Sequence, residues 1–241
     1  MIILYQKYYY VIIQYFEVRL IVMKIKDIYQ NYKLMPNLRL HMYRVAGVAL
    51  VICDNISETV DRDSITAACL LHDMGNIIKF KLDLFPTFLE PEGRDYWQKV
   101  QNEYFEKYGK DEHDATIAIA REIGVNDKVM RLLKSIGFTQ AKENYESPQF
   151  DRKIVAYSDM RVEPNGVVSL EDRLRDGRKR TRIHKPNSHD ESLFEEMSFF
   201  LRKIEKQIFE KTSISPDDIT DERISKYVSK LSDFELSVHK S

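Results

Sequence analysis

The chain has 241 residues, 37 Lys and Arg against 38 Asp and Glu, and a net charge of −1. A hydrophobic share of 43% with 31% charged residues is enough to bury a sizeable core and excludes a disordered chain. The balanced charge excludes a global attraction to nucleic acid or to an anionic membrane, so any such affinity needs a local patch.

The first 23 residues, MIILYQKYYYVIIQYFEVRLIVM, are rich in β-branched and aromatic residues, but Lys7, Glu17 and Arg19 interrupt them. The longest uncharged stretch after the opening, residues 8–16, is short of the ~20 residues that cross a bilayer. No basic leader or small-residue cleavage site marks a signal peptide. Two readings stay open: an extra strand or helix packed on the domain, or an extension upstream of a natural start at Met23.

From residue 37 onward the periodicity is helical. Asn37 is read as the N-cap of a helix over 38–54, with Leu38, His41, Val45, Val48 and Ile52 on one face. Ser64 is read as the cap of the next helix, whose inner stripe is Ile65, Ala68, Cys69 and His72, and Gly75 supplies the permissive residue favoured at helix ends. Residues 77–93 hold two prolines and read as a loop. Helices follow over 94–108, with Trp97, Val100, Gln101, Tyr104 and Tyr108 on one side, over 111–123, from Asn126 through Ile136, and over 150–162. Pro164, Asn165 and Gly166 stop the last of these. Ser169 with Asp172 resembles a capping box opening LEDRLRDGRKR. The tail reads as helices over 191–211 and 217–236, separated by SISP. There is no internal repeat and no βαβ alternation. The expected fold is all-α: an apolar N-terminal extension over 1–23, a helical bundle domain over 24–185 and a helical C-terminal extension over 186–241. Cys53 and Cys69 lie in apolar helical patterns without CxxC spacing, which fits buried thiols in the reducing cytoplasm.

His72-Asp73 is the most informative pair. It ends an otherwise apolar helix in LLHDMGN, and Asp73 sits about 100° further round the helix than His72. An ionised carboxylate near a core face is costly unless it is paired or bound to a metal. His41 follows the same logic, since Val45, Val48 and Ile52 share its face. Asp159, in KIVAYSDMRV, is flanked by Val155, Ala156 and Val162. Taken singly, each has a bland explanation as a hydrogen-bonded core residue, a cap or an ion-pair partner. Together, three helices bring two imidazoles and two carboxylates toward one interior. Such mixed donors suit a divalent cation of the Mn, Fe, Co, Ni or Zn type, or Mg with carboxylates and water.

The order His41, His72-Asp73, Asp159 resembles the H…HD…D signature of the HD-domain metal-dependent phosphohydrolase superfamily, and RLHMYRVA, LLHDMGN and VAYSDMRV are similar to the phrases around those positions. The resemblance covers about residues 34–180. It implies a helical bundle in which His41, His72, Asp73 and Asp159 are all metal ligands, and hydrolysis of a phosphomonoester or phosphodiester, of a nucleotide. No GYP tripeptide follows the HD helix, and LLKSIGFTQ carries none of the adjacent histidines of some two-metal members. His113, on a helix face with Thr116, Ile117 and Ala120, is a candidate extra ligand or phosphate contact.

In that chemistry Asp73 would orient an activated water and accept its proton. Arg44, one turn after His41, Arg161, two residues past Asp159, and Lys79 are candidate cations for the phosphate charge, each equally compatible with a surface role. The basic stretch 173–185, RLRDGRKRTRIHK, would suit a phosphate backbone. It lacks aromatic residues for base stacking, and a solvated helix end is the better reading. Trp97, Tyr104, Phe105 and Tyr108 read as core. A competing expectation is a regulatory module that binds a nucleotide or RNA without hydrolysing it. A third is a purely structural polar network.

Overall fold

The computed structural model describes residues 19–84, 86–184 and 188–240; the readings made for residues 1–18 lie outside them. Strand β1 (Arg19–Lys24) leads into α1 (Ile25–Asn31), α2 (Pro36–Cys53) and α3 (Arg62–Leu71). Short 3-10 turns occupy much of 76–89, where a loop was expected. Then come α4 (Arg94–Tyr108), α5 (Glu112–Ile123), α6 (Asp127–Ser135), α7 (Ala141–Glu146) and α8 (Phe150–Asp159). The hairpin β2 (Val162–Glu163) and β3 (Gly166–Val167) precedes α9 (Leu170–His184), α10 (Ser188–Phe209), α11 (Asp221–Leu231) and β4 (Glu235–Lys240). The all-α class holds: helices build the core, and the described strands form only two two-stranded ribbons.

The sequence VAGVALVI explains why α2 is the axis of the molecule. Every residue from Val45 to Ile52 is buried, so the helix is apolar all round, as a fully enclosed helix must be, rather than on the single face expected. It packs on α3, α8 and α11. Gly47 permits the last contact, since a Cβ there would lie 3.1 Å from Cβ of Ile224. Phe194, Met197, Leu201, Ile204 and Ile208 of α10, with Ile224 and Leu231 of α11, belong to the same buried cluster as Val45, Ile65 and Val155. No helix among the described residues is long and apolar enough to cross a membrane.

Several boundaries differ from expectation. Asn37 does not cap α2: Pro36 takes the first helical position, where its fixed φ and missing N–H are tolerated. Asp61, not Ser64, caps α3, accepting from both the backbone N–H and the hydroxyl of Ser64. Asp111 and Asn126 cap α5 and α6, and the Ser169–Asp172 box is formed. Helix α8 stops at Asp159 because β2 turns back through Pro164 and Asn165 to β3. Helix α7 was not foreseen. In the tail, α11 starts only at Asp221, capped by Thr220, and ends at Leu231. The chain then becomes β4, antiparallel to β1 with Arg19 opposite Lys240 and Lys24 opposite Glu235. The described end of the apolar N-terminal segment is thus a strand packed on the domain.

Candidate metal centre

Three helices deliver the four predicted donors. His41 stands in the first half of α2, His72 is the C-cap of α3 with Asp73 beside it, and Asp159 is the last residue of α8. Two helix C-termini therefore end at the site, and their dipoles favour positive charge there. The turn after Asp73 is fastened to α5: Gly75 N–H donates to Thr116 Oγ1 at 2.9 Å, and that hydroxyl donates to the Glu112 carbonyl at 2.9 Å. Gly75 is not needed for a left-handed φ, as expected of a helix-ending glycine; its φ is −90°. It is needed for space, because a Cβ would collide with the Glu112 carbonyl oxygen.

The donors meet. His41 Nε2 lies 3.2 Å from Asp159 Oδ1 and 3.5 Å from Asp73 Oδ2. His72 Nε2 lies 3.4 Å from Asp159 Oδ1 and 3.6 Å from Asp73 Oδ1. Ligand atoms of His41, His72 and Asp73 all fall within 4.8 Å of one another. Neighbouring donors that share one cation at bond lengths of about 2.1 Å stand roughly 3 Å apart, so these separations have the scale of a coordination shell. The two imidazole rings are 5.4 Å apart between centroids.

The tautomer of His72 is set by the helix. Its Nδ1–H donates to the Cys69 carbonyl at 2.8 Å, so in the neutral ring Nε2 presents a lone pair to the carboxylates. That Nε2 is buried and makes no hydrogen bond among the described residues. A backbone carbonyl on one ring nitrogen with the other left open is how a metal-ligating histidine is held. His41 Nε2–H donates to Asp159 Oδ1.

The electrostatics agree. Burial would lower the basicity of His72, but Asp73 and Asp159 hold its pKa up to about 9. Burial would raise the Asp159 carboxyl, yet the adjacent imidazoles of His41 and His72 hold it well below the usual carboxylate range. The pocket between the carboxylates thus accommodates positive charge. A divalent cation fits this donor set, replacing the imidazole protons.

The other predicted residues have surroundings of their own. His113 is exposed at the start of α5; the group of mutually close donors among the described residues is His41, His72 and Asp73, which takes in neither His113 nor Asp159, the latter reaching it through its contacts to the two imidazoles. Lys79 donates to Glu112 Oε1 at 3.1 Å. Arg44 donates to the Pro164 carbonyl at 2.9 Å, and its Nε is 3.8 Å from Asp221. Arg161, expected at the mouth, is 3% exposed. It donates to the Val168, Pro216 and Ile219 carbonyls and to the Tyr157 hydroxyl, so it is a structural brace. Trp97 and Tyr104 are core, as expected. A cavity of about 400 Å³ adjoins Asp159, with walls from α9 and α10. Arg173 and Arg180 of its lining lie in the basic stretch that would suit a phosphate backbone but reads as a solvated helix end, because in RLRDGRKRTR an arginine facing a cavity has the same local signature as one facing water.

Residues 39–156 match the family model described as HD domain. The match takes in His41, His72 and Asp73 and ends just before Asp159. No curated protein and no solved structure matches the chain.

Proposed function

Through residues 39–156 the chain belongs to the HD-domain phosphohydrolase superfamily, and on that premise we propose that it hydrolyses a phosphomonoester or phosphodiester, of a nucleotide, with a divalent cation held by His41, His72, Asp73 and Asp159. The observation that carries this reading is the buried, unpartnered Nε2 of His72, facing two carboxylates and a second imidazole. A buried polar atom without a partner is costly and calls for an explanation. A bound cation supplies one.

When bound, such a cation polarises a phosphoryl oxygen and lowers the pKa of a coordinated water. The chain's own residues do the rest. His41 and His72 contribute neutral nitrogen donors, the latter in a ring orientation locked by Cys69 O. Asp159 closes the donor set from α8. Asp73 has one oxygen near each imidazole, and its carboxylate is the group in the cluster suited to orient the attacking water and accept its proton. The free thiols of Cys53 and Cys69 suit a cytoplasmic location.

The competing reading, a nucleotide or RNA binder without turnover, draws support from the basic helix α9. Three of its arginines are paired, however: Arg175 with Asp172, Arg178 with Glu195 of α10 and Arg180 with Asp176. A phosphate backbone would have to compete with those carboxylates.

The test is elemental analysis of the purified protein, followed by a panel of nucleotides and simple phosphoesters with Mn, Co, Ni and Mg added. Bound metal with turnover is the expected outcome. Bound metal with no turnover on any phosphoester favours the binder, and neither metal nor turnover leaves the four residues as a structural network.

A further inference from the structure

The cavity beside Asp159 has the volume of an organic-ligand pocket, about 400 Å³. Phe138, Arg173, Arg180, Asp190 and Phe194 also line it. All of these except Phe138 lie outside the span matched by the family model, so this wall belongs to the chain's own C-terminal part.

The arginines of α9 differ in their partners. Arg175 reaches Asp172 at 2.8 Å, Arg180 reaches Asp176 at 2.9 Å, and Arg178 pairs closely with Glu195. Arg173 has an ion pair only at 3.9 Å, from Nη1 to Asp176, beyond hydrogen-bonding range. Its side chain is 18% exposed, and its Nε is buried with no hydrogen-bond partner among the described residues. A buried donor of a charged group left unsatisfied is costly, and a guanidinium in that condition on a cavity wall is set to receive an acceptor from a ligand.

We propose that Arg173 is the substrate's anion contact, binding phosphate oxygens in the cavity that opens on Asp159. The planar guanidinium fork matches phosphate geometry better than an ammonium does. Phe138 and Phe194 stack with centroids 4.9 Å apart and planes at 25°, giving the organic part of the ligand a flat apolar wall. The ligand class is therefore an organic phosphate. This assignment rests on the phosphoester reading for the identity of the anion only.

The experiment uses the full chain and inorganic phosphate as probe, titrated calorimetrically with Mn²⁺ present, alongside metal content and the KM for p-nitrophenyl phosphate. Arg173→Gln should weaken phosphate binding about tenfold or more, the loss of a charge-assisted contact. Arg173→Lys should recover part of it, and Arg175→Gln should bind within about twofold of the parent, since a rim charge contributes little. Metal content should not change in any of them. If Arg173→Gln does not fold, Arg173→Met, which keeps an aliphatic stem, takes its place. Phosphate binding unchanged in the variant, an equal loss in Arg175→Gln, or no phosphate binding by the parent overturns the assignment. Loss of phosphate binding in a protein that hydrolyses no phosphoester upholds Arg173 and removes the hydrolase reading. Hydrolysis with phosphate binding and KM indifferent to Arg173 does the reverse.

Discussion

His41 Nε2 and Asp159 Oδ1 stand 3.2 Å apart although the two residues are 118 positions apart in the chain. The contact joins the first half of α2 to the last residue of α8, so the donor cluster exists only in the assembled core. Asp159→Ala removes the acceptor of His41 and the carboxylate 3.4 Å from His72. It should reduce bound metal at least tenfold, the scale seen when even an outer-shell partner of a metal site is lost. Helix content by circular dichroism should stay at the parent value. His113→Ala should leave metal stoichiometry unchanged, because that ring is exposed and outside the cluster. Equal metal in the Asp159 variant and the parent would remove Asp159 from the ligand set, and lost metal in the His113 variant would add that residue to it.

Gly75 is the tightest point of the site's frame. A methyl group there meets the Glu112 carbonyl, the Ala115 methyl and the Thr116 nitrogen, all closer than 3.0 Å. Two of these are backbone atoms and cannot rotate away. Gly75→Ala should therefore cost about 1–3 kcal/mol, the usual penalty for overpacking, and loosen the turn that carries Asp73. Chemical denaturation combined with metal titration checks both. A variant as stable as the parent would mean that α5 can slide away from the turn at no cost.

The four candidate donors could be picked out because each is a polar residue at an inward position of an apolar helical stripe, a conflict that local rules expose. The β1–β4 ribbon could not be, since nothing in RLIVMK names ELSVHK as its partner and strand pairing is decided by tertiary context. Helix α7 escaped because AKENYE is short and mostly polar. The cap errors differ: Asn37 satisfies the local preference but α2 already starts at Pro36, with Met35 before it making no side-chain cap bond, and Ser64 lies within the first turn that Asp61 caps. Arg173 reads only as part of the basic stretch 173–185, without being told apart from its neighbours. It differs from Arg175, Arg178 and Arg180 only in what lies opposite, and that is not written along the chain.

Arg161 illustrates how a motif neighbour is recruited for structure. Its guanidinium links the β2–β3 hairpin, through Val168, to the segment before α11, through Pro216 and Ile219. It also donates to the Tyr157 hydroxyl, which in turn donates to Glu205 of α10 at 2.6 Å. Lysine keeps the charge but not the fork. Arg161→Lys should destabilise the protein by about 1–3 kcal/mol, from buried acceptors left unpaired, while the KM for any phosphoester substrate is unchanged. A KM effect without a stability effect would return Arg161 to the mouth of the site.

The cap of α3 gives the pH prediction. Asp61 accepts from Ser64 N–H at 3.0 Å and pairs with Lys128 at 3.0 Å, which also reaches Asp151 at 2.9 Å. Burial alone would raise its carboxyl, but the Ser64 amide and the Lys128 ammonium hold it below 3.8. A carboxyl whose pKa is depressed on folding binds fewer protons in the native state. Its contribution is complete above the unfolded value of about 3.9 and is lost as the pH falls through the native value. Asp61→Ala should cost about 1 kcal/mol at pH 7, as for other helix N-caps. The gap between parent and variant should hold down to about pH 5 and narrow below about pH 4, as the parent's own carboxylate is protonated. Urea midpoints at constant m-value read this directly. A gap that stays constant from pH 7 to pH 3 would show that Asp61 acts on α3 through its shape rather than its charge, and one that widens on acidification would reverse the sign assigned to its pKa shift.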